Sequence, residues 1–184
     1  MSIIQMKIDG LSSRGKRIQT ILRPISHQKQ GPAWARRGSS REHIIATYDG
    51  TRPTAEYRDW RFSTFVRNFQ AMYFELWKRS TENDEYWYLD RAYLSIYQVV
   101  DRNESEFLCL HCDPNIANDA KEKYKKGPHL HIKAANEPLP HAHIALNLGH
   151  LDGVLTSIDT LSDAMKTAKS MLKAHIPQFR RAFF

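Results

Sequence analysis

The chain has 184 residues, 41% hydrophobic and 26% charged, with only 8 Gly and 8 Pro. That composition suits a single domain with an apolar core and excludes disordered and low-complexity classes. Lys and Arg number 27 against 20 acids, a net charge of +7, which suits contact with a polyanion. No window approaches 18 uncharged apolar residues, and the first ten residues carry Lys7 and Asp9 without a cleavage pattern. The expectation is therefore a cytoplasmic protein with neither a membrane span nor a secretory signal. Two cysteines, Cys109 and Cys112, are too few for a disulfide scaffold.

The charge is uneven. Residues 1–41 hold nine basic side chains against the single acid Asp9, and residues 166–184 hold five more with no acid. One domain over 1–184 is expected, with a basic N-terminal segment (1–41) ahead of a core (42–184). Arg14, Lys16, Arg17, Arg36 and Arg37 are its candidate nucleic-acid contacts, joined further on by Lys125, Lys126 and Lys133.

In chain order, residues 2–8 read as a short strand and 11–25 as a short helix or irregular basic segment. Residues 27–42 contain Gly31-Pro32, Gly38 and paired serines, so they read as an exposed loop. A strand at 43–49 stops at Gly50. Pro53 then opens a predicted long helix over about 53–80, because Phe62, Phe65, Val66, Phe69, Met72, Tyr73, Leu76 and Trp77 recur at three- and four-residue spacing. That aromatic stripe is read as core. Residues 86–100 are dense in aromatic and β-branched side chains and predict one or two strands. Further strands are expected at 106–112, 128–135 and 140–148, and a C-terminal helix at about 160–175. The fold class expected is α+β: a mostly antiparallel sheet with one long aromatic-rich helix and a C-terminal helix.

One internal repeat carries the chemistry. Pro128-His129-Leu130-His131-Ile132 is followed by Pro140-His141-Ala142-His143-Ile144. Residues i and i+2 of a strand share a face, so each copy projects two imidazoles about 6.6 Å apart. A hairpin setting His129 opposite His143 and His131 opposite His141 would gather four imidazoles. Upstream, Phe107, Cys109 and His111 alternate onto one face and offer two further donors. Three chemistries fit: a divalent transition metal such as zinc or manganese, paired acid–base catalysis by His129, His131, His141 and His143, or phosphate binding beside the neighbouring lysines. A histidine-rich packing surface is the plain structural alternative. No phosphate loop or dinucleotide fingerprint is present, which excludes P-loop nucleotide hydrolysis.

The Pro-His-x-His repeat on a strand pair, followed by a helix near the C-terminus, resembles small bacterial toxin proteins of the TumE type. The resemblance covers residues 90–175 loosely and is specific only in the histidine repeat. It implies a toxin–antitoxin or antiphage-defence setting and a protein that binds or cleaves nucleic acid, a possible His-dependent nuclease hydrolysing phosphodiesters. The rival expectation is a non-catalytic subunit of a larger defence or nucleic-acid-processing complex, with a protein partner.

Overall fold

Short aromatic and β-branched runs separated by turn residues favour strand pairing over helix, and antiparallel ladders dominate the computed structural model. It describes residues 4–49, 60–101, 103–114, 128–132, 142–145 and 159–170. Among the described residues, nine strands form one sheet: β1 (Gln5–Lys7), β2 (Ala33–Gly38), β3 (Glu42–Tyr48), β4 (Arg61–Ser63), β5 (Phe69–Arg79), β6 (Tyr86–Val100), β7 (Asn103–Cys112), β8 (His129–Ile132) and β9 (Ala142–Ala145). Their order is β2-β3-β5-β6-β7-β8-β9, with β1 on β6 and β4 on β5. β6 is long enough to hold β1 against residues 86–88 and β7 against residues 92–100. The described residues also form two α-helices, α1 (Ile8–Leu22) and α2 (159–170). The α+β class with a mostly antiparallel sheet and a C-terminal helix holds.

The long aromatic helix does not. Within the predicted span of 53–80, residues 53–59 lie outside the described residues, and the rest supplies β4 and β5. The reason is burial on both sides. Ala71, Tyr73 and Trp77 pack in the larger core, while Met72 and Phe74 pack in a smaller one on the opposite face. A strand buried on both faces is apolar without alternation, so the three-and-four spacing arises with no helix behind it. The expected loop at 27–42 is also corrected: its middle is β2, paired with β3 in register from Ala33↔Tyr48 to Gly38↔His43. Gly31-Pro32 marks only its entrance, where Gly31 has a φ of 90° that favours glycine.

Helix α1 buries Leu11, Arg14, Gly15, Ile18, Ile21 and Leu22, the stripe of a helix packed on a sheet. Gly15 is required there, because a Cβ would lie 2.1 Å from the Trp34 ring of β2. α2 adds Leu161, Met165 and Ala168 to the same core, against Ile45, Leu89, Leu94, Leu110 and Leu130 of the sheet. At the centre of this helix-covered face lies a buried ion pair. Arg14 donates from Nε and Nη2 to Glu75 Oε1 at 2.8 and 2.6 Å, and from Nη1 to Ser162 Oγ of α2 at 2.9 Å. The Tyr73 hydroxyl donates to Glu75 Oε1, and Trp77 Nε1 to Oε2 at 3.0 Å. Burial works against the Arg14 charge, and Glu75 and Tyr73 together outweigh it and raise its pKa. Arg14, expected at a nucleic-acid surface, is instead 2% exposed and ties α1, β5 and α2 together. Among the described residues, no helix is long and apolar enough to cross a membrane.

Candidate metal centre

β7 and β8 pair antiparallel with His111 opposite His129 and Cys109 opposite His131. The alternation that buries Leu108, Leu110 and Leu130 in the helix-covered core sends Cys109, His111, His129 and His131 to the other face. The three histidines converge there. His111 and His131 stack with centroids 4.0 Å apart, His129 and His131 lie 4.8 Å apart, and His111 meets His129 edge-on at 5.8 Å. One ring nitrogen from each lies within 4.8 Å of the others. Tetrahedral zinc with Zn–N bonds of about 2.05 Å needs its donors about 3.3 Å apart, so rotations moving each nitrogen by about 1 Å bring the set to bonding geometry. His129 is 2% exposed. His111 and His131 are half-buried.

Two residues that sequence reasoning missed adjoin the cluster. Tyr93 of β6, opposite His111 in register, lies flat on the His111 ring at 4.2 Å and 14°. Its hydroxyl donates to Asp113 Oδ1 at 2.8 Å. Asp113 Oδ2 is 4.0 Å from His111 Nδ1. Burial pushes the Asp113 carboxyl up, and the Tyr93 hydrogen bond and the nearby His129 pull against it. Burial and the adjacent Asp113 also push the Tyr93 hydroxyl up, so it remains a proton donor. The signal in the sequence was the His111-Cys-Asp113 spacing, which reads as a mere strand end before Pro114.

The predicted site residues separate into several groups. His129 and His131 come together as expected, and His111 joins them as an equal member. The register differs from the expected hairpin by two residues: His143 pairs with His131, and His129 pairs with Ala145. His141, Lys125, Lys126 and Lys133 lie outside the described residues. Cys109 shares the face but points its thiol to Ser95 Oγ at 2.9 Å, and burial pushes that thiol up, away from the thiolate a metal needs. Phe107 does not share the face. A register shift between Ile96 and Tyr97 turns its side chain to the helix-covered core, as a bulge does.

The basic residues also divide. Lys16 and Arg17 are exposed on α1, across the sheet from the histidines. Arg36 donates to Ser12 Oγ of α1 at 3.1 Å, so it too lies on the helix side. Arg37, paired with Ile44, falls on the histidine face, four strand spacings from β7, or about 19 Å. No family model, curated protein or solved structure matches this chain.

Proposed function

We propose that the protein is a metal-dependent phosphodiesterase that binds and cleaves nucleic acid, in a bacterial toxin or antiphage-defence role. The observation that carries this reading is the convergence of His111, His129 and His131 within 4.8 Å on one sheet face. Three imidazoles leave a fourth position of a tetrahedral ion for water or substrate. Held by His111, His129 and His131, such an ion would supply Lewis-acid chemistry, activating a water and polarising a phosphoryl oxygen. The donor set selects between the two metals expected from sequence: imidazole suits zinc, whereas manganese prefers carboxylate and water.

A polymeric substrate is favoured by the net positive charge of the chain and by the placement of Arg37. Arg37 and the histidines share a face across about 19 Å, a span that a mononucleotide does not bridge. The test is cleavage of labelled single-stranded DNA, single-stranded RNA and duplexes by zinc-loaded protein, beside the His129→Ala/His131→Ala double variant. Cleavage of at least one polymer, lost in a double variant that still folds, is the expected result. Cleavage that survives the double substitution overturns the reading. Binding without turnover in both proteins replaces it with a non-catalytic subunit.

A further inference from the structure

The three histidines do not explain why a buried carboxylate sits beside them. Asp113 is 9% exposed and lies two residues beyond His111, just past the end of β7. A lone buried carboxylate is costly unless its oxygens are engaged. Oδ1 accepts from the Tyr93 hydroxyl at 2.8 Å, which fixes the plane of the carboxylate and leaves Oδ2 turned toward His111 Nδ1 at 4.0 Å. The His111 ring lies between the parallel faces of Tyr93 and His131, at 4.2 and 4.0 Å. The two flanking rings restrain the plane of His111. A shift of about 1 Å in that plane turns the Nδ1–Oδ2 contact into a hydrogen bond of ordinary length. Tyr93 thus does two things with one side chain: its ring sets the plane of His111, and its hydroxyl holds the carboxylate at the edge of that ring.

We infer that Asp113, anchored by Tyr93, is the positioning carboxylate of the metal centre: it accepts the Nδ1 proton of His111 and so commits Nε2 of that ring to the metal. This inference rests on the metal reading above and adds to it an orientation, a tautomer and two residues. The two ring nitrogens of histidine are distinguished by what the second one bonds. A carboxylate behind a ligating imidazole fixes the tautomer and raises the basicity of the ligand, and its loss costs about 10–100-fold in metal affinity. Cys109 is left out of the donor set, because its thiol is engaged with Ser95.

The test uses Co(II) as the probe metal on the full chain stripped of metal, with the visible ligand-field bands as a readout that stability alone does not move. Wild type is expected to bind one equivalent, and His111→Ala to lose more than 100-fold in affinity. Asp113→Asn is expected to lose 10–100-fold and to shift the bands, with its far-ultraviolet spectrum unchanged. Tyr93→Phe keeps the stacked ring but releases the carboxylate, and it is expected to show a smaller loss in the same direction. Should Asp113→Asn fail to fold, Tyr93→Phe decides. Wild-type affinity and bands in the folded Asp113→Asn protein, or in Tyr93→Phe where it stands in, overturn the inference while the histidine centre stands. Absence of Co(II) binding by wild type overturns the metal reading itself, and the inference with it.

Discussion

The two faces of the central sheet bury charge in opposite ways. On the helix-covered face, one cation meets one anion: Arg14 and Glu75 bond directly, and Tyr73, Trp77 and Ser162 occupy the remaining positions. That arrangement is complete within the chain. On the other face the same antiparallel scaffold gathers three imidazoles and a carboxylate. A matched pair of opposite charges closes on itself; three clustered imidazoles are a donor set that could hold a metal ion. The burial of His129, at 2% exposed, shows that exposure alone does not distinguish the two. The direct pairing of opposite charges, Arg14 with Glu75, does.

Breaking the matched pair is the largest test of that contrast. Arg14→Met leaves Glu75 charged and buried, and it should cost about 3–5 kcal/mol of stability, whereas Arg14→Met with Glu75→Leu should recover most of the loss. Urea denaturation of the two variants measures the difference; equal losses would mean that the pair is a mere neighbourhood of independent contacts. On the histidine face the sign reverses, because stability there should come from outside the chain. Zinc at 100 times its dissociation constant should add about 2.7 kcal/mol to wild type, and nothing to the triple alanine variant of His111, His129 and His131. Thermal melts with and without zinc check this.

The smallest effect belongs to a group on neither face. Asp49 lies just past β3. Burial opposes its charge, but the hydrogen bonds from Ser63 and Gln28 prevail and hold its carboxyl below the ordinary value of 3.8. A depressed folded-state pKa stabilises the protein above the unfolded value, and that contribution is lost as pH falls through the folded one. Wild-type stability should therefore decline more steeply below about pH 4 than that of Asp49→Asn. Denaturant midpoints between pH 5 and pH 2.5 would show it, and parallel curves would remove Asp49 from the account.

Local signals made some parts of this molecule legible. The Pro-His-x-His repeat marked β8 and β9 because alternation along one strand is sufficient to see both faces. The stripe of α2, Leu161, Ala164, Met165 and Ala168, was plain for the equivalent helical reason. β5 was not legible, since Met72 and Phe74 are buried as deeply as Ala71 and Tyr73 and erase the alternation. The hairpin register escaped because nothing in residues 133–141 specifies which strand residues pair, and a shift of two keeps every side chain on its face. Tyr93 and Asp113 escaped because their meaning exists only across β6 and β7. Arg14 was misassigned because its partner stands 61 residues away, and a basic residue without a near acid reads as surface.

The strand order has a consequence for how the molecule assembles. From β5 to β9 each strand pairs with its successor in the chain, and Asp101, with a φ of 49°, supplies the left-handed conformation that the tight β6–β7 connection needs. The β5–β6 and β6–β7 pairings close over short connections, which is fast. The clasp between Arg14 and Ser162 spans 148 residues and cannot close until α2 has been synthesised. The strands that carry His111, His129 and His131 therefore emerge from the ribosome before Ser162, the last member of the polar lock at the opposite face.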